Sequence, residues 1–159
     1  AAASLSTSLQ QGKIEKWYQA VICGKPVDNN GTYVDYLKQD KKNNCSRIVD
    51  KSDPESKRAE LEYKVLDCIQ TEEKDPQYLS LVEIKLLTGR HHQIRVQFSG
   101  HGTPLYGDGK YGNNEKAVRK SLALCACHLK FKHPATGKIM DFQIKPDTGA
   151  FKLFSKSND

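Results

Sequence analysis

Ala59, Leu61, Tyr63 and Val65 alternate with Glu60, Glu62 and Lys64. A period of two puts apolar side chains on one face of an extended chain and charges on the other, so this stretch reads as a half-buried strand. Leu79, Leu81 and the residues up to Leu87 read as a second strand. The polar stretch Thr71 to Pro76 between them has the character of a hairpin connection. Adjacent strands joined this way pair antiparallel, and that constraint organises the rest of the chain.

Ile14 to Cys23 is rich in aromatic and branched residues and reads as a strand ended by Gly24-Lys25-Pro26. Asp28 to Gly31 signals a turn, and Thr32 to Leu37 is a short strand or a helical turn. Residues 38–58 are dominated by Lys, Asp, Asn and Ser. They read as a solvated loop carrying a short strand near Ser46 to Val49. After a turn at Thr88-Gly89, His91 to Ser99 reads as a short helix. Ile94 and Phe98 share one of its faces, and Gly100 and Gly102 stop it. Pro104 to Gly112 is a Gly-rich loop, and Asn114 is placed to cap a helix through Lys120. Leu122 to Phe131 and Lys138 to Ile144 form a hairpin, after which Phe151 to Phe154 packs back onto the core. Strands outnumber helices, which predicts an α+β domain with a mostly antiparallel, mixed sheet and short helices. Residues 1–12 are small and polar, a tail or a truncated element, and residues 13–159 form one domain.

The net charge of +6 and pI near 9.0 suit a polyanionic partner, since cations that neutralise phosphates release counterions. No apolar run approaches the roughly 18 residues of a membrane span. Five cysteines, an odd number without a compact framework, read as reduced thiols of a cytoplasmic protein. Cys125-x-Cys127-His128 has no second ligand pair at zinc spacing, so no metal is expected.

The segment Leu87-Thr88-Gly89-Arg90-His91-His92-Gln93-Ile94-Arg95, followed by Gly107-Asp108-Gly109-Lys110-Tyr111-Gly112, resembles the RluA-type pseudouridine synthases. Lys16-x-Tyr18, the strand through Tyr63 and the hairpin around His133-Pro134-Ala135-Thr136-Gly137 match the same family in order. The resemblance implies part of a pseudouridine synthase fold, in which a bent sheet carries helices and loops beside a cleft. It also implies isomerisation of uridine in rRNA or tRNA without metal or organic cofactor: the glycosidic bond breaks, the base rotates, and it rejoins through C5. The family's nucleophile is an aspartate in an upstream His-Arg-Leu-Asp segment, which these 159 residues do not contain. The chain is therefore expected to be a C-terminal portion, inactive alone. The alternative is a non-catalytic RNA-binding protein that has lost the nucleophile. Cys125 stands where the family commonly has histidine, a difference expected to affect packing more than chemistry.

By resemblance, Arg95 pairs with the nucleophilic carboxylate, and a cation there keeps a part-buried Asp ionised. Tyr18 matches the tyrosine that stacks near the base and is implicated in proton transfer. A free phenol with a pKa near ~10 is a poor base at neutral pH, so its role depends on position. Arg90, Lys16 and Lys110 are candidate phosphate contacts. His92 and Gln93 either hydrogen-bond the substrate or brace the loop. Asp108 reads as a brace of its loop through backbone hydrogen bonds, not as a substitute nucleophile. A truncated sheet is also expected to expose an edge and apolar surface through which copies associate.

Overall fold

A computed structural model describes residues 14–72, 77–112 and 120–155. The tail at 1–12, the helix expected after Asn114 and most of the connection before Pro76 lie outside the described residues. Seven strands form one sheet: β1 (Glu15–Cys23), β2 (Asn30–Asp40), β3 (Cys45–Ile48), β4 (Lys57–Gln70), β5 (Tyr78–Leu86), β6 (Leu124–Lys132) and β7 (Ile139–Gln143). Their order is β3-β2-β4-β5-β1-β6-β7. Among the described residues every strand pair is antiparallel, in line with the mostly antiparallel sheet expected. Helix α1 (Gln93–Gly100) and a 3-10 helix (Gly149–Phe154) complete the described fold.

The period-two reading of β4 agrees with its packing. Ala59, Leu61 and Tyr63 are buried on the face that carries α1. There Ala20 and Ile22 of β1, Val82 and Ile84 of β5, Ile94 and Phe98 of α1, and Leu105 close one core. Burying such side chains supplies about 1.5–3 kcal/mol each relative to exposure. The opposite face is smaller: Val21, Leu79 and Ala123 are covered by Phe151 of the 3-10 helix. The C-terminal segment thus packs back where Phe151 to Phe154 predicted.

Two boundaries differ from the sequence reading. The stretch starting at Lys38 is not wholly loop, because β2 runs on to Asp40 and pairs with β3 from Leu37↔Ile48 to Asp40↔Cys45. Leu37 anchors that extension, buried against Ala59 and Val96. Lys38, on the other face, is held by Asp53 at 3.3 Å and Glu55 at 2.5 Å. Alternation at single residues hid the strand among charges. The helix also begins at Gln93 and not at His91, because His92 takes a left-handed conformation with φ 52°. Such a conformation is uncommon outside glycine and costs on the order of 1–3 kcal/mol, so surrounding contacts must enforce it.

Candidate active site

The turn after β5 is built around Gln93. Its side-chain oxygen accepts from Thr88 Oγ1 at 2.8 Å and from the Arg90 amide at 2.9 Å, and its Nε2 donates to the Glu60 carbonyl at 3.0 Å. Thr88 Oγ1 in turn accepts from the Glu60 amide at 2.8 Å. Gln93 is buried and these bonds are internal, which fits the bracing alternative of the sequence reading. Arg90 is exposed, and its Nε donates to the Arg58 carbonyl at 2.9 Å. That bond ties the root of the guanidinium to β4, while its two terminal nitrogens have no protein acceptor among the described residues. Lys16 reaches the same turn from β1: a Cβ on Gly89 would lie 3.3 Å from its Nζ.

One helical turn on, Arg95 is engaged from within the chain. Its Nε donates to Asp108 Oδ2 at 2.8 Å and its Nη2 to Asp108 Oδ1 at 2.7 Å. Asp108 Oδ1 also accepts the amides of Lys110 at 3.0 Å and Tyr111 at 2.9 Å. Asp108 therefore does more than brace its loop, because it is the described carboxylate partner of Arg95. Burial alone would raise the Asp108 pKa. The Arg95 hydrogen bonds and charge, with the two amides, outweigh it and hold the carboxyl below its usual range. The same pair raises the pKa of Arg95. Two of the five guanidinium N–H groups are used by Asp108, which leaves donors for a further acceptor.

The glycines around Asp108 explain the Gly-Asp-x-x-Tyr-Gly spacing. Gly107 has φ 76°, and a Cβ there would lie 2.2 Å from the Ser121 carbonyl oxygen. A Cβ on Gly112 would lie 2.4 Å from the Asp108 carbonyl oxygen. Neither position admits a side chain without backbone movement.

Tyr111 joins this loop to the rest of the site. Its ring lies 4.9 Å from the Arg95 guanidinium carbon. Its hydroxyl accepts from the Ser46 amide at 2.9 Å and sits 2.8 Å from His92 Nδ1. Besides accepting from the Ser46 amide, the phenol oxygen can either donate its proton to His92 Nδ1 or accept one from it, according to the His92 tautomer. Burial lowers the His92 pKa, and the nearby His91, Arg95 and Lys110 lower it further, which agrees with a neutral ring. His91 stacks on His92 at 3.9 Å and bonds Ser46 Oγ and Asn44 Oδ1. Lys110 Nζ donates to the Asn44 carbonyl at 2.7 Å. The β2–β3 hairpin therefore clamps both motif loops, and these contacts hold His92 left-handed. The sequence reading missed Ser46, Asn44, His91 and Tyr111 as site residues. His91 and Tyr111 were signalled only by their place inside the two motifs, and the hairpin residues only by two Asn at a turn, one of which, Asn44, has φ 48°.

Tyr18 lies on β1, half-buried beside the α1-side core, and burial raises its phenol pKa. It stays protonated at neutral pH. A largely apolar cavity of about 280 Å³ opens beside it, lined by Lys16, Tyr18, Ala126, Leu129, Phe142 and Ile144 among others. Lys16 and Tyr18 on β1 thus share the α1 side of the sheet, with Lys16 reaching the turn that carries Arg90, while Gln93 is buried in that turn and exposed Lys110 bonds the hairpin carbonyls. Among the described residues, no group of three or more His, Cys, Asp or Glu is disposed to hold a metal ion. No described helix is long and apolar enough to cross a membrane.

Comparisons with known proteins agree with this architecture. The chain is 33% identical over 151 residues to ribosomal large subunit pseudouridine synthase D of Zymomonas mobilis, covering 90% of this chain and 45% of that protein. It is 30% identical over 142 residues to ribosomal large subunit pseudouridine synthase C of Rickettsia bellii, covering 89% of this chain and 45% of that protein. The chain spans about half the length of the curated relatives it matches. Among solved structures, human RNA pseudouridylate synthase domain containing 1 superposes with a TM-score of 0.76 at 23% identity, over 92% of this chain and 60% of that one. At that identity the likeness establishes the fold. The family model described as RNA pseudouridylate synthase matches residues 1–100, and with these relatives it shows that the chain belongs to the RNA pseudouridylate synthase family.

Proposed function

We propose that this chain supplies the RNA-binding and positioning part of an RNA pseudouridine synthase acting on uridine in rRNA or tRNA. The observation that carries the reading is the Arg95–Asp108 pair on the Tyr18 side of the sheet. It fixes a guanidinium with donors to spare on the sheet face that also carries Tyr18, and Tyr18 lines a cavity suited to a base drawn out of its stack. In this reading Arg95 offers its remaining N–H groups to the nucleophilic carboxylate, which the described residues do not supply. Tyr18, protonated and half-buried, packs against the base and is placed to pass a proton. Lys16 and Arg90 hold phosphates, and His92, bonded through Nδ1 to the Tyr111 hydroxyl, contacts the substrate or supports the loop. Lys110 contributes through the hairpin clamp.

The test measures tritium release from rRNA and tRNA transcripts labelled at C5 of uridine. The chain is expected to bind the RNA and release no tritium. Release above background would mean that it carries a working nucleophile, with Asp108 the first to replace, and would end the fragment reading. A second reading, a binder without turnover, is favoured by the self-sufficient Arg95–Asp108 pair, which needs no further carboxylate for charge balance. Supplying a relative's segment that contains His-Arg-Leu-Asp separates the two: restored release supports the fragment, and continued silence supports the binder.

The five cysteines are free thiols, which supports a cytoplasmic location, testable with a fluorescent fusion. Self-association through the β7 edge completes the proposal.

A further inference from the structure

We propose that the cleft between the β2–β3 hairpin, the start of β4 and the Thr-Gly-Arg turn is a track for the phosphodiester backbone of the RNA strand that leads away from the target uridine. This rests on the RNA-binding reading above and extends it to Lys41 and Lys57, beyond the motif residues.

The cleft has a volume of about 460 Å³ and brings four cationic side chains, Lys38, Lys41, Lys57 and Arg90, against one carboxylate, Glu55. Lys38 and Glu55 pair at 2.5 Å and cancel. Asp53 also leans on Lys38, and Asp40 spends its oxygens on Asn43. Lys41 and Lys57 are exposed and have no ion-pair partner among the described residues. Arg90 is fixed through Nε to the Arg58 carbonyl, so its terminal nitrogens are held out as a fork, the geometry that suits a phosphate. Arg58, next to Lys57, is paired with Glu60 and adds nothing.

Position makes these charges a path. Lys57 sits opposite Leu37, whose side chain is buried against Val96 of α1, so Lys57 lies on the α1 face. Gly89 lines the cleft on one side and meets Lys16 on the other. The cations therefore run from Lys16, beside Tyr18, across the Gly89-Arg90 turn to Lys57 and Lys41. A strand whose base occupies the Tyr18 cavity would have its next phosphates over that line. The hairpin is rigid enough to serve as a wall, since Ser46, Asn44 and His91 bind it to the turn.

The experiment measures binding of this chain to a labelled RNA stem-loop over a range of KCl concentrations. The double variant Lys41→Gln/Lys57→Gln is compared with Lys64→Gln/Lys152→Gln, an equal loss of charge at exposed residues away from the cleft. Each lost phosphate contact removes about 0.7–0.9 from the slope of log K against log salt. The cleft variant is therefore expected to lose about 1.5 from that slope and to bind about fivefold or more weakly at physiological salt. The control is expected to follow the wild type. Wild-type binding that the cleft variant shares in affinity and slope overturns the inference alone. No RNA binding by the wild type overturns it together with the reading it rests on. Displacement of RNA by polyglutamate as readily as by a single-stranded RNA homopolymer would assign the cleft to an acidic protein and also overturn it. Both variants replace exposed side chains, and a matching thermal melt confirms that each is folded.

Discussion

Asp108 shows most directly how a residue's surroundings set its work. Replacing it with alanine leaves Arg95 unpaired at 18% exposure and two amides without their acceptor. Removing one member of a buried pair costs about 3–5 kcal/mol, and the partial exposure of Arg95 puts the expected loss near the lower figure. Urea denaturation of Asp108→Ala against wild type measures it, and an unchanged midpoint would show that the pair adds no stability. The pH dependence follows from the depressed Asp108 pKa. A carboxyl lower in the folded than in the unfolded state contributes stability above its unfolded value of about 3.9. That contribution is lost as pH falls through the lower folded value. Urea midpoints taken from about pH 6 down to about pH 2 should therefore converge between wild type and Asp108→Ala at the acid end. A constant gap would contradict the assignment. Sequence alone singled out both Arg95 and Asp108, in two motifs 13 residues apart, but not their contact. Spacing between a helix and a loop carries no distance, so Arg95 was expected to face a carboxylate from elsewhere.

At the scale of elements, local patterning reported strands well and turn geometry poorly. The alternation in β4 and the aromatic run in β1 were legible because one face of each is buried. The end of β2 was not, because Lys38, Gln39 and Asp40 offer a single polar run in which only neighbouring Leu37 points inward. The left-handed His92 was also hidden, since nothing in the composition of His91-His92-Gln93 marks a positive φ. Glycine was more informative. Gly107 and Gly102 both have positive φ, but only Gly107 faces a backbone oxygen at 2.2 Å, whereas Gly102 faces open space. Gly102→Ala should therefore cost about 1 kcal/mol for backbone strain alone. Gly107→Ala should cost more, about 2–3 kcal/mol, because the loop that carries Asp108 must move. Thermal melts of the pair check the order, and equal losses would show that the Ser121 contact yields freely.

At the scale of the whole molecule, the sheet ends unevenly. Its β3 edge is short and tied to the motif loops, so it offers little to a new strand. At the other end β7 pairs with β6 alone among the described residues. Along and just beyond it Ile139, Phe142 and Ile144 are 68%, 53% and 63% exposed. An unpaired edge flanked by apolar side chains invites strand addition, which buries those side chains and satisfies free backbone groups in one step. Sequence reasoning reached an exposed edge from the truncated resemblance, and the hairpin pattern could not say which strand would lie outermost, because strand order depends on contacts across the whole chain. The expected outcome is reversible, concentration-dependent association in sedimentation equilibrium, with Phe142→Lys shifted towards monomer by placing a charge where the second copy would pack. Association should persist at high salt, since it draws on apolar burial, whereas RNA binding through Lys41, Lys57 and Arg90 should fade. A single monomeric species at all concentrations would remove β7 as a contact between copies and leave the basic α1 face as the surface through which this fold meets its partner.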